Sequence, residues 1–143
     1  MASFTGEYRH AIDEKGRMAV PARMRPSLEG GCVVARWLDT CLAIFPMAAW
    51  EAISAKVGSL PITDPNARLL QRRLFAGALE TELDKQGRVL IPETLRSAAF
   101  LDAEAVVVGG RDHAEIWAPA RWDDYAAQLE DEAFAAAISG LGI

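Results

Sequence analysis

Two five-residue runs bring the residue types that do chemistry into close spacing: Asp13-Glu14-Lys15-Gly16-Arg17 and Asp84-Lys85-Gln86-Gly87-Arg88. In each, a carboxylate stands four residues before a guanidinium, and a glycine directly precedes the arginine. Aspartate at the start of a tight turn accepts backbone N–H groups, and glycine supplies the positive φ such a turn needs. Asp13, Gly16, Asp84 and Gly87 are therefore the turn-shaping residues. The spacing leaves two uses open for Arg17 and Arg88: an ion pair that braces the turn, or a bidentate contact to a phosphate or a guanine edge. Lys15 and Lys85 add cations suited to phosphate. Arg9 shares a strand face with Asp13 by period-two alternation, and either extends this cationic surface or stands solvated on its strand.

Other reactive residue types form no comparable pattern. His10 and His113 are single and unmatched, and no serine lies in a G-x-S-x-G context. No glycine-rich phosphate loop occurs. Asp123 and Asp124 read as a solvated helix face. Cys32 and Cys41, nine positions apart without a C-x-x-C pair, give neither a zinc site nor a disulfide framework. The reading is of a non-enzyme with no catalytic residue, no metal, no cofactor and no small-molecule substrate.

The elements that must position the two runs also come in pairs. Residues 12–25, IDEKGRMAVPARMR, and 83–96, LDKQGRVLIPETLR, match at a constant offset of 71 in Asp13/Asp84, Gly16/Gly87, Arg17/Arg88, Pro21/Pro92 and Arg25/Arg96. Downstream, each copy continues with an apolar strand, a polar turn and a second apolar strand, and closes at Trp50 or Trp122. The alternating stretches before Asp13 and Asp84, with the short apolar runs after Arg17 and Arg88, predict a hairpin in each copy. Pro21 and Pro92 then open one or two helical turns, and Pro46 and Pro119 open closing helices. Each unit reads β-β-α-β-β-α, so the fold class is α+β. The expected boundaries are a first repeat over 6–57, a linker with a helix over 58–76, a second repeat over 77–127 and an acidic, alanine-rich tail over 128–143. A unit of about fifty residues buries little surface alone, so the two copies are expected to share one core as one structural domain. Pairing of their edges is expected to close a pseudo-two-fold barrel with flanking helices. Trp37, Trp50, Trp117 and Trp122 read as anchors of the core or of an interface between protomers.

The chain has 143 residues, 51% of them hydrophobic and 24% charged, which is a globular composition. The net charge of −5 lies wholly in residues 113–143, where six acidic residues face Arg121 alone, so residues 1–112 are free to carry a basic face. No apolar run approaches the ~20 residues of a membrane span, and Glu7 and Arg9 interrupt the start, so a cytoplasmic location with no membrane partner is expected.

The paired D-x-x-x-R runs, each followed by an apolar pair and proline, resemble the MraZ family of bacterial regulators in the AbrB/SpoVT superfamily. The resemblance extends from Phe4, Gly6 and Glu7 through Leu42 to Trp50 and Leu60-Pro61, to Val106–Gly109 and Glu115-Ile116-Trp117. It implies a swapped-hairpin barrel, self-association into a ring, nucleoid association and binding of double-stranded DNA. The implied target is a set of direct repeats upstream of the gene itself, at the head of a division and cell-wall cluster. On that reading Arg17, Arg88, Lys15, Lys85 and Arg9 are the DNA-binding candidates. The acidic tail keeps a second reading open, an antitoxin-like protein-interaction module of the same superfamily.

Overall fold

The computed structural model describes residues 4–143. The first copy supplies β1 (Glu7–Ala11), β2 (Arg17–Ala19), α1 (Arg25–Leu28), β3 (Cys32–Arg36), β4 (Leu42–Pro46) and α2 (Met47–Gly58). After α3 (Pro65–Ala76), the second copy supplies β5 (Leu79–Thr81), β6 (Arg88–Leu90), α4 (Glu93–Ala98), β7 (Glu104–Gly109), β8 (Ala114–Trp117) and α5 (Pro119–Ala126). A last helix, α6 (Asp131–Leu141), ends the chain. The fold is α+β with antiparallel pairing throughout.

The sequence reading expects β1 to pair with β2 as a hairpin, and it does not. The ladder between them is reduced to one bridge, Ile12 to Met18. β1 runs along β7 of the second copy, and β5 runs along β3 of the first. The six-stranded order β1-β7-β8-β4-β3-β5 reads the same when each strand is replaced by its repeat partner, so a pseudo-two-fold axis passes between β4 and β8. The copies thus exchange their N-terminal strands. β2 and β6 pair only with each other, as a separate two-stranded ribbon.

The expected closed barrel is also corrected. Among the described residues the six-stranded sheet is open, ending in β1 and β5. The reason lies at the two glycine turns. Gly16 and Gly87 give their carbonyls to Ile91 N (2.8 Å) and Val20 N (3.0 Å) of the opposite copy, which commits β2 and β6 to each other. The ribbon then lies over one face of the sheet instead of joining its edges. Met18, Val20, Val89 and Ile91 point inward from it and bury against Val34, Ile44, Val107 and Ile116. Burial of this apolar layer is the main source of stability, at ~25 cal/mol per Å² removed from water.

Helices cover the other face. Trp50 and Val57 of α2 and Leu74 of α3 pack on Val33 and Phe45, while Trp122 of α5 packs on Val106 and Trp117. Pro65 and Pro119 begin α3 and α5, where the fixed φ suits the first turn, while Pro46 precedes α2 as its extended N-cap residue; Asp64 caps α3 by accepting from Asn66 N at 2.9 Å. Trp50, Trp117 and Trp122 are buried core residues, and Trp37 packs at the boundary of the two clusters. No helix among the described residues is long and apolar enough to cross a membrane.

Candidate nucleic-acid interface

The two charged runs fold into turns with the same hydrogen bonds. Asp13 Oδ1 accepts from the backbone N–H groups of Lys15 and Arg17, both at 2.9 Å, and its Oδ2 accepts from Arg17 Nε at 2.8 Å. Asp84 repeats this with Gln86 N and Arg88 N at 2.9 Å and Arg88 Nε at 2.8 Å. Gly16 and Gly87, at φ of +88° and +75°, turn the chain and donate to the Asp13 and Asp84 carbonyls. An ordinary side chain is disfavoured at such φ, which explains the glycine at this point of each run.

These bonds set the titration of both carboxyls. The backbone N–H of Arg17 does most to hold Asp13 below the ordinary aspartate range, partial desolvation opposes it, and the Arg17 guanidinium and Lys15 N–H add to the lowering. Asp84 is lowered for the same reasons by Arg88 and Gln86. A depressed folded value means that the stabilisation is fully present above the unfolded pKa, about 3.9, and is lost as pH falls through the lowered folded value. Melting curves should therefore show Asp13→Asn and Asp84→Asn less stable than the parent chain at pH 7, with the gap closing below about pH 4. A gap that is constant from pH 7 to pH 3 would contradict this titration.

The turns do not stand apart. Because β2 and β6 pair antiparallel, with Arg17 opposite Leu90 and Ala19 opposite Arg88, the two tips flank one ribbon. Alternation along it sends Met18 and Val89 into the core and leaves Arg17, Ala19, Arg88 and Leu90 on the outer face. Arg88 Nη1 also comes within 3.8 Å of Asp13 Oδ2, so the second tip leans on the first. Both guanidiniums spend Nε on the brace. Among the described residues, that 3.8 Å approach is the one ion pair made by their Nη edges. Bracing and outward contact are thus compatible uses of the same side chain, which the spacing alone presents as alternatives.

Sequence reasoning missed Arg25 and Arg96 as parts of this site. The Arg96 guanidinium lies where a Gly16 side chain would start, and Arg25 lies likewise against Gly87. Each arginine thus packs on the turn of the other copy, and Arg25 Nε donates to Val20 O at 2.8 Å. The signal was present, since Arg25/Arg96 is one of the five repeated identities. Lys15 and Lys85 sit in the turns as expected.

Arg9 is not brought to this face. It lies opposite Val106 on the side of the sheet that carries α5, and its guanidinium pairs with Asp123 at 2.8 Å. Alternation places Arg9 correctly relative to its own strand, but β1 has left its turn to join the second copy. The contact is exposed and salt-screened, so it is worth little to stability. His113 is enclosed by Trp37 and Phe45, with Asp112 Oδ1 2.8 Å from its Nδ1 and Glu115 Oε2 3.9 Å from its Nε2. Cys32 and Cys41 are buried free thiols, and burial with Glu82 nearby pushes Cys32 up to about 11.

Comparison with known proteins gives the family of the chain. A family model described as "MraZ protein, putative antitoxin-like" matches residues 3–73 and again 74–139. A protein of Roseiflexus sp. (strain RS-1) named "Transcriptional regulator MraZ" is 48% identical, over 91% of this chain and 91% of its own length. One of the same name from Desulfitobacterium hafniense (strain Y51) is 48% identical over 96% of both chains, and one from Herpetosiphon aurantiacus is 45% identical over 98% and 99%.

Proposed function

Because the chain belongs to the MraZ family, we propose that it is a transcriptional regulator that binds double-stranded DNA in a sequence-specific way through the outer face of the β2–β6 ribbon. One observation carries this reading: Arg17 and Arg88 share that face, each held by an Nε brace to the aspartate of its own turn. A two-stranded ribbon fits the ~12 Å major groove, where an arginine fork meets the O6 and N7 acceptors of guanine. Lys15 and Lys85 at the flanking tips take phosphates and fix the register. Asp13, Gly16, Asp84 and Gly87 hold the tips in shape. Arg9, paired with Asp123, acts at most as a peripheral charge.

Three acidic residues, Asp13, Glu14 and Asp84, stand among the four tip cations, so one ribbon has only a small excess of positive charge. Such a head binds weakly and loses affinity steeply with salt. A ring of heads meeting direct repeats on one DNA removes that weakness, since linked binding raises affinity by ~10² or more without new contacts. This supports the expectation of a nucleoid-associated ring that reads direct repeats upstream of its own division and cell-wall gene cluster. DNase footprinting of the chain on its own upstream region at low salt tests it. Protection repeating at a constant spacing is the expected result, and an unprotected region would overturn the reading.

A further inference from the structure

An apolar groove of about 600 Å³ lies on the helical side, between α2, α3 and the turn that joins β3 to β4. Trp37, Leu38, Ile53, Val57, Leu69 and Leu70 line it. Leu38 and Leu69 are 67% and 66% exposed, far more than a leucine facing a core of its own chain. Arg36 and Arg73 stand at the groove against one carboxylate, Asp39, so its charge is net positive, and none of the three makes an ion pair among the described residues. α3 carries three arginines and no acidic residue.

α6 has the complementary surface. Phe134, Ile138 and Leu141 recur at i, i+4 and i+7, which places them on one helical stripe. None of them enters a hydrophobic cluster, and Phe134 is 60% exposed. Asp131 and Glu132 occupy the first turn, and α6 has no basic residue. No residue of α6 lines the groove of its own chain.

We propose that α6 of one copy docks its Phe134-Ile138-Leu141 stripe into the α2–α3 groove of a second copy, with Asp131 and Glu132 meeting the arginines at the groove. This is recognition of an amphipathic helix by a groove, with apolar anchors at helical spacing. Helix and groove are different surfaces, so each copy gives one contact and receives another. A contact of that kind propagates head to tail and closes into a ring when the rotation allows. It supplies the joint for the ring proposed above and rests on that reading only for the ring's closure; DNA takes no part in it. The acidity confined to the C-terminal segment then has a receiver in the arginines of α3.

The test uses the full chain with light scattering after size exclusion, over a concentration series. One variant carries Leu69→Asp and Leu70→Asp in the groove, and the other Phe134→Asp and Ile138→Asp on the helix. All four side chains lie at the surface or partly so, and melting curves verify that both variants are folded. The parent chain should assemble into multiples of its 15.5 kDa mass, and each variant alone should run as a monomer. An equimolar mixture should regain a two-chain species, because the groove variant still offers its helix and the helix variant its groove. Arg73→Glu, which removes no large apolar side chain, should raise the midpoint concentration of assembly a few-fold.

If the parent is a multimer and folded variants remain so, the ring has another joint and this proposal falls alone. A monomeric parent overturns both the joint and the ring. Folded variants that lose assembly but do not complement each other would also overturn the proposal, since α6 would then act within its own chain or through a symmetric face.

Discussion

Replacing Arg17 and Arg88 together by alanine is expected to weaken binding to the upstream DNA at least roughly thirtyfold while leaving the chain folded. Each bidentate contact to a base is worth ~1–3 kcal/mol, so losing both exceeds anything the brace contributes. The brace is an ion pair between side chains that are 29–37% exposed, and such pairs typically contribute ~1 kcal/mol or less. The two uses of the arginines therefore separate in measurement. If they read DNA, affinity falls steeply, the slope of log affinity against log salt flattens, and melting shifts by only a few degrees. If they are braces alone, melting shifts by the same few degrees and affinity stays within a few-fold. Lys15→Ala and Lys85→Ala give the contrast: uniform loss across DNA sequences and about one unit of salt slope per phosphate contact removed. Unchanged affinity in the double arginine variant would sink the assignment of the ribbon as the reading surface.

Much of this site is legible in the sequence because its chemistry is local. An aspartate, a glycine and an arginine within five residues determine nearly every hydrogen bond of each turn, and the repeat states the arrangement twice. What is not legible is which strand pairs with which. Alternation tells which side chains of β1 share a face, but carries no information about whether that face is met by β2 or by β7. For the same reason alternation leaves Arg9 either extending the tips or solvated on its strand, and the structure has it paired with Asp123. Arg25 and Arg96 are visible as a repeated pair, yet their role arises from strand exchange, which brings each one against the opposite copy's glycine. Closure into a barrel is a choice between covering an edge and covering a face. The ribbon's buried Met18 and Val89 decide it for the face, since the apolar area gained there exceeds what a few edge hydrogen bonds would return.

That exchange makes Gly16 a sensitive position in the ribbon. Gly16→Ala is expected to destabilise the chain by about 2–5 kcal/mol, the sum of an unfavourable φ at about 1–2 kcal/mol and overpacking at about 1–3 kcal/mol. A Cβ there meets the Arg96 guanidinium and, at 2.6 Å, the carbonyl oxygen of Ile91. The guanidinium can swing aside, but the carbonyl belongs to the ribbon and cannot. Gly30→Ala is the matched control. Its φ of +84° is nearly the same as the +88° of Gly16, and a Cβ at Gly30 meets nothing within 4 Å. It should carry the φ cost alone, roughly 3–6 °C in Tm for a chain of this size, against roughly 6–15 °C for Gly16→Ala. The difference between the two melting points isolates the contact between a turn of one copy and the strand of the other. Because that contact also fixes where Arg17 stands relative to Arg88, DNA affinity should fall with Gly16→Ala and not with Gly30→Ala. Equal melting points for the two variants would mean that the ribbon is not locked across the copies, and the shared outer face on which DNA reading depends would lose its support.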